Sequence, residues 1–262
     1  MPPIQRVVAI GGGWLYVPCQ PSTTLAIDAE IVRLGWEATG GIRVPRILFI
    51  PTASDDDMSY CHSVYTEFET RLGCRFDHLR LIGENLSDTE VASKIRQADI
   101  IYVGGGNTAN MMRIWQERKI DCLLEEAWSK GKVLSGLSAG SICWCASGIS
   151  DSEKLAGVAD WKPTRVMGLG FIKLFNCPHW DSEGAWRHSA VNQLKGQLLA
   201  KNGIALEDDT ALEVVGGQYR IIASQAGKVA YLLSRRKSDG FITKRRLVPH
   251  EDFRSLDDLV HH

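Results

Sequence analysis

Lys132-Val133-Leu134-Ser135-Gly136-Leu137-Ser138-Ala139-Gly140 runs an apolar, strand-like stretch straight into a G-x-S-x-G pentapeptide. A strand that turns at once into a helix needs small residues on both sides of the turn, and it holds the central hydroxyl clear of the sheet. The pattern predicts a helix from Ala139 to Ala146, whose first turn sets the backbone N–H of Ala139 where a developing oxyanion can accept it. An isolated G-x-S-x-G is a flexible turn. Between a strand and a helix it predicts an α/β fold with Ser138 as a nucleophile.

Working outward, the chain alternates short apolar runs with helical periodicity, which predicts βα units around a largely parallel, doubly wound sheet. Arg6–Ile10 ends in Gly11-Gly12-Gly13, and Leu25, Ala29, Val32 and Trp36 recur at helical spacing before Gly40-Gly41. Ile47–Ile50 is a wholly apolar strand closed by Pro51, and a second helix carries Met58, Cys61, Tyr65, Phe68 and Leu72 on one face before Gly73. A strand is expected near Leu79–Leu81, followed by the capping box Ser87-x-x-Glu90. Ile100–Val103 is the next strand. It runs into Gly104-Gly105-Gly106-Asn107-Thr108 and one long helical stretch that ends at Gly131. Beyond Gly203, Ala211–Val215, Tyr219–Ala223, Val229–Leu233 and Phe241–Val248 are strand-sized runs, the earlier ones separated by Gly216-Gly217 and Gly227. They predict an antiparallel extension of the sheet edge at the C-terminal end.

With 262 residues, 44% of them apolar and 23% charged, and a formal charge of −1, the composition is that of an ordinary globular protein. One domain over 1–262 is expected. The basic clusters Arg235-Arg236-Lys237 and Lys244-Arg245-Arg246 are short and balanced elsewhere, so they are expected to be solvated strand ends and no nucleic-acid partner is predicted. Met1-Pro2-Pro3-Ile4-Gln5-Arg6 leads into a strand without the features of a secretion signal, and no apolar run approaches the roughly 20 residues of a membrane span. The seven cysteines, Cys19, Cys61, Cys74, Cys122, Cys143, Cys145 and Cys177, are odd in number and scattered. They predict reduced thiols and a cytoplasmic location. Cys143-x-Cys145 has no second ligand pair nearby, so neither a metal nor a cofactor is expected. The glycine runs fit neither the dinucleotide fingerprint nor the P-loop, and are read as strand-end loops that let backbone approach a ligand.

A serine hydroxyl is a weak nucleophile at neutral pH and needs a base, itself oriented by an acid. Of seven histidines, His261 and His262 end the chain, while His62, His78, His188 and His250 lie in helical or charged surroundings. His179 stands apart in Phe175-Asn176-Cys177-Pro178-His179-Trp180, on a proline-fixed loop just after an apolar run. Between nucleophile and base the candidate acids are Asp151, Glu153 and Asp160. Asp151 is preferred because it follows the helix after Ser138 and can return toward the strand tips, with Glu153 close behind.

Val103-Gly104-Gly105-Gly106-Asn107-Thr108, Gly136-Leu137-Ser138-Ala139-Gly140 and Cys177-Pro178-His179, in that order, resemble the peptidase E (aspartyl dipeptidase) family of serine peptidases, whose relatives are the cyanophycinases. The resemblance runs from about residue 5 to about residue 235 and is far more specific than the pentapeptide alone. It implies the three-layer α/β/α fold of the class I glutamine amidotransferases, with serine in place of their cysteine. It also implies Ser138 as nucleophile, His179 as base, and backbone N–H groups of Gly105, Gly106 and Ala139 as oxyanion hole, with Asn107 in the same substrate-binding loop. For the acid, an ungapped count favours Glu153 and the Ser-Asp-Ser context favours Asp151. The resemblance implies a short-peptide substrate, and dipeptides with N-terminal aspartate. A guanidinium suits that carboxylate, and Arg187, on a helix expected from Ala185 to Ala200, is the candidate.

Two other readings compete. An esterase of the α/β-hydrolase kind shares G-x-S-x-G and the order Ser, Asp, His, but the span from Ser138 to His179 is too short for the βα units that separate those groups there. A binding protein that has lost turnover would not need the serine, histidine and acid together. A homodimer stays open.

Overall fold

The strands of the computed structural model, which describes residues 3–15, 20–193, 202–236, 238 and 241–260, form two sheets. In chain order they are β1 (Arg6–Ile10), β2 (Arg46–Ile50), β3 (Arg75–His78), β4 (Ile100–Val103), β5 (Val133–Leu137), β6 (Cys145–Ser150), β7 (Thr164–Met167), β8 (Ile172–Cys177), β9 (Asn202–Leu206), β10 (Thr210–Val215), β11 (Gln218–Ala223), β12 (Ala230–Arg235), β13 (Ile242–Leu247) and β14 (Arg254–Ser255). The helices are α1 (Leu25–Ala38), α2 (Met58–Tyr65), α3 (Asp88–Gln97), α4 (Thr108–Glu117), α5 (Ile120–Ser129), α6 (Ala139–Ile142), α7 (Ser152–Leu155), α8 (Gly184–Gln193) and α9 (Asp257–Val260). Cys19, Lys237, His261, His262 and positions 194 to 200 of the helix expected after Ala185 lie outside the described residues.

The eight-stranded sheet has the order β14-β11-β10-β1-β5-β4-β2-β3. Its parallel part is β1, β5, β4, β2 and β3, with β10 and β11 added antiparallel at the β1 edge. The central strands β1, β5 and β4 are buried along their whole length because both faces are covered, whereas β3, Arg75-Phe76-Asp77-His78, is the polar edge. Val8 and Ile10 of β1 pack with Ile27 and Ile31 of α1, Cys61 and Val64 of α2 and Phe49 of β2. The alternate residues Val7 and Ala9 pack with Val91 of α3, Met111 and Trp115 of α4 and Leu124 of α5. The α/β/α layering is thus present, and the capping box at Ser87 closes with Glu90 as its sequence predicts.

The second sheet, six strands in the order β13-β12-β9-β8-β6-β7, is the main departure from expectation. The predicted helix after Ser138 stops at Ile142, and Cys145 already begins β6. Val229–Leu233 and Phe241–Val248 contribute to this sheet as β12 and β13, so only β10 and β11 of the late strands extend the main one. Cys145, Ile172, Leu174, Ile204 and Leu232 of the second sheet join the same apolar cluster as β1, β4 and β5. On its other face α8 packs Ala190 and Val191 against Ile149, Phe175 and Leu233.

Three smaller corrections have local causes. The strand expected near Leu79–Leu81 is Arg75–His78, one turn earlier. The long helix after Asn107 is two, broken at Lys119, whose left-handed backbone at φ 55° cannot continue a right-handed helix. Lys244, Arg245 and Arg246 lie within β13, where charge on an edge strand discourages pairing with another chain, and not at a strand end. Among the described residues no helix is long and apolar enough to cross a membrane.

The strand that carries Ser138 leaves no room for side chains beside it. A Cβ on Gly136 would lie 2.6 Å from the carbonyl oxygens of both Val103 and Gly140, and the first cannot yield without opening the β4–β5 pairing, nor the second without shifting α6. Gly136→Ala is therefore expected to cost about 2 kcal/mol or more in urea unfolding, well beyond an ordinary surface change.

Candidate active site

Ser138 follows β5 directly and precedes α6, with φ 57° and ψ −108°. A non-glycine residue held there is strained by order 1–3 kcal/mol, a cost that surrounding structure must offset. The offset is visible in the bonds of the turn. The Ser138 N–H donates to the Ile10 carbonyl of β1 at 3.0 Å, while its own carbonyl accepts from the Ser141 N–H and hydroxyl and from the Ile142 N–H. Gly140 meets the Val103 carbonyl of β4 so closely that no Cβ fits. Ala139 is buried, and its N–H, in the first helical turn, has no intrahelical acceptor.

His179 arrives from β8, and three backbone bonds place it over the end of β1. Its N–H donates to the Gly11 carbonyl at 3.1 Å, the Trp180 N–H to Leu206 at 3.0 Å, and the Asp209 N–H to Gly12 at 2.9 Å. The imidazole Nδ1 pairs with Oδ1 of Asp208 at 2.7 Å. Burial opposes ionisation of Asp208, but the hydrogen bond and charge of His179, helped by Ser182 and Lys228, outweigh it and hold the carboxyl below its ordinary range. The Asp208 N–H is itself held by Asp181, which pairs with Lys228. With Nδ1 engaged, Nε2 is the nitrogen left for proton transfer.

Ser138, His179 and Asp208 all line one cavity of about 700 Å³ at the C-terminal ends of the parallel strands. Gly105 and Gly106, after β4, line it too. The Gly105 N–H is already bonded to the Tyr60 hydroxyl at 3.2 Å, which differs from the expected oxyanion role of Gly105. Gly106 sits at φ 134°, pressed against the Ala53 backbone, and needs to be glycine. Burial pushes the Tyr60 hydroxyl up to about 12, so it keeps its proton and, having accepted from Gly105, has that proton free to donate. Asn107 does not line the cavity. It caps α4 by accepting the Asn110 N–H and donates to the Ser152 carbonyl, a structural duty.

The two acids favoured by sequence are not on the imidazole. Asp151 sits at the start of α7, because the helix after Ser138 lasts a single turn and β6 carries the chain into the second sheet. Glu153 accepts the Lys162 N–H. The carboxylate that meets His179 lies later in the chain, in Glu207-Asp208-Asp209, between β9 and β10. An acidic triplet at the end of the apolar run Gly203–Leu206 is a sequence signal for it, but only if the search extends past the histidine. Arg187 is also displaced from its expected place: it is buried at 2% exposure, donates Nε and Nη2 to Oε2 of Glu183 and Nη1 to the Ile149 carbonyl, and does not line the cavity. Its helix face packs on the second sheet, which turns the guanidinium away from any substrate carboxylate.

Comparison with known proteins agrees with this architecture. The sequence profile of Peptidase family S51 matches residues 31–222, a span that contains Ser138, His179 and Asp208. The chain is 36% identical over 229 residues, 87% of its length and 91% of the relative's, to the uncharacterized peptidase YgaJ of Bacillus subtilis (strain 168). It is 26% identical to Peptidase E of Nostoc sp. (strain PCC 7120 / SAG 25.82 / UTEX 2576), covering 84% of this chain and 85% of that one. In three dimensions it resembles the crystal structure of a peptidase from an acI-B1 Actinobacterium, with a TM-score of 0.68, 18% identity, and 96% and 97% of the two chains covered.

Gly12 is the closest neighbour of the histidine–carboxylate pair: a Cβ there would run into Asp208 Oδ1 and the His179 ring. Gly12→Ala is expected to push the imidazole off Asp208 while leaving both sheets folded. Labelling of Ser138 by a fluorophosphonate should slow by tenfold or more with an unchanged far-ultraviolet circular dichroism spectrum, and equal labelling rates would show that the pair tolerates the methyl.

Proposed function

The chain belongs to peptidase family S51, and on that premise we propose that it is a serine peptidase hydrolysing short peptides through Ser138, His179 and Asp208. The observation that carries this reading is the His179–Asp208 bond at 2.7 Å, facing the same cavity as a serine held at φ 57°. Asp208 fixes the imidazole with Nδ1 protonated, so Nε2 takes the proton as the Ser138 hydroxyl attacks the peptide carbonyl. The N–H groups of Gly106 and Ala139 receive the oxyanion, with the Tyr60 hydroxyl beside them in place of the N–H of Gly105. His179 returns the proton to the departing amine. Water then attacks the acyl-enzyme by the same route in reverse.

Two further readings go with this one. The whole chain acts as one peptidase domain, because a single apolar cluster joins both sheets and the helices between them. It works in the cytoplasm, a reading supported by the unpaired thiols of Cys61, Cys74, Cys122, Cys143, Cys145 and Cys177. The aspartyl preference, in contrast, has lost the residue that argued for it, since Arg187 is bound to Glu183 beneath the cleft.

Ser138→Ala is expected to abolish hydrolysis of a dipeptide panel and labelling by a fluorophosphonate without loss of fold. Asp208→Asn removes the charge that sets the tautomer and should lower kcat by about 10³ to 10⁴-fold, as such changes do in other triads. Asp151→Asn and Glu153→Gln should each stay within a few-fold of wild type. A collapse of activity in either of these, with Asp208→Asn near wild type, would return the acid to the earlier segment.

A further inference from the structure

The cavity carries charge of one sign. Among the described residues, the acidic side chains lining it are Asp57, Glu183 and Asp208, and no lysine or arginine joins them. Asp208 is engaged by His179, and Asp57 spends its Oδ1 on capping α2, where it accepts from Ser59 and Tyr60. Among the described residues Asp57 Oδ2 is unbonded, but it belongs to an exposed side chain that no cation holds, and in this Glu183 differs. Arg187 grips it through Oε2 alone, at 3.0 and 2.8 Å, and among the described residues no protein donor is bonded to Oε1. The guanidinium is buried and is further tied to the Ile149 carbonyl, so it holds the glutamate in place from below. A carboxylate oriented by a buried cation, with one oxygen free toward a cleft, is a preformed acceptor for an ammonium group.

Its position relative to the reacting groups narrows the ligand. The Glu183 N–H donates to the His179 carbonyl at 3.1 Å, so Glu183 lies one turn beyond the histidine and faces the same cavity. In a dipeptide the α-ammonium is separated from the scissile carbonyl by a single carbon. Glu183 and Ser138 line the same cavity, and that is the pair of groups so short a ligand would span. The rest of the wall mixes Trp14, Leu15, Tyr60 and Leu137 with the hydroxyls of Ser59, Ser63 and Ser182. Resting on the serine-peptidase reading above, we propose that Glu183 docks the free amino terminus of the substrate, and that the substrates are short unblocked peptides whose first side chain is neutral or basic. An N-terminal aspartate brings a second carboxylate into a cleft already lined by three, where no lysine or arginine among the described residues lines the wall to receive it.

Binding to the Ser138→Ala protein tests this without turnover. Calorimetric titration with Ala-Phe, N-acetyl-Ala-Phe and Asp-Phe should give about tenfold or tighter binding of Ala-Phe than of either other peptide. The advantage over the acetylated peptide should fade as the pH rises past about 8, where a peptide α-amine loses its proton. Adding Glu183→Gln, which keeps an oxygen for Arg187, should bring Ala-Phe to within about threefold of its acetylated form. Equal affinities, tighter binding of Asp-Phe, or no binding of Ala-Phe at millimolar concentration overturns the proposal, and these comparisons do not depend on how the glutamine variant folds. Fluorophosphonate labelling of the wild-type protein reads the nucleophile separately. Labelling with no preference for a free amine removes the docking role alone, whereas an unlabelled Ser138 removes the serine-peptidase reading.

Discussion

The strained turn at Ser138 is the constraint around which the rest is arranged. A side-chain-bearing residue at φ 57° persists only where its neighbours over-determine it. Here they do so from three strands at once: Ile10 at the end of β1 accepts the Ser138 N–H, Val103 at the end of β4 closes over Gly140, and β5 itself runs between those two strands. The centre of a parallel sheet is the one place where a turn can be gripped on both sides. Gly136 and Gly140 follow from that grip, since a methyl at either would strike backbone that belongs to the sheet.

The same strand end serves the histidine. Gly11 and Gly12 continue β1 without side chains, and their carbonyls take the N–H groups of His179 and Asp209. One bare segment of backbone thus sets the height of the imidazole above the turn and of the acidic loop beside it. Second-sheet strands deliver both partners, His179 after β8 and Asp208 after β9. The second sheet accordingly has a positional task. It shares an apolar cluster with the main sheet, so the catalytic groups proposed here are fixed by core packing and not by loops alone.

What could be read from sequence divides along physical lines. β1 and β4 end in apolar runs followed by glycine, and the strand, turn and helix around Ser138 are local in the chain, so both were legible. The proline-fixed setting of His179 was legible for the same reason. Three features were not. The break at Lys119 depends on one backbone angle in a segment of unbroken helical periodicity. The single-turn helix after Ser138 ends because Cys145 pairs with Ile172, a contact made by residues distant in sequence. Asp208 meets His179 because β8 and β9 lie side by side in the second sheet, a pairing of distant segments that no spacing rule announces. Asp151 looked well placed because the chain was assumed to stay in a single sheet after the turn.

Arg187 shows why residue type alone misleads about recognition. By chemistry it is the natural receptor for a substrate carboxylate, and by sequence it lies near the histidine. On folding it becomes buried with Glu183 as its partner, and breaking such a pair from one side would leave an uncompensated charge. The cation is consumed in orienting the anion, and the anion is what the cleft displays. Charge complementarity at a site is decided by which member of an ion pair faces the solvent. Here helix α8 settles that choice: the face bearing Arg187 packs on the second sheet, and Glu183, just before the helix begins, is the member that lines the cavity.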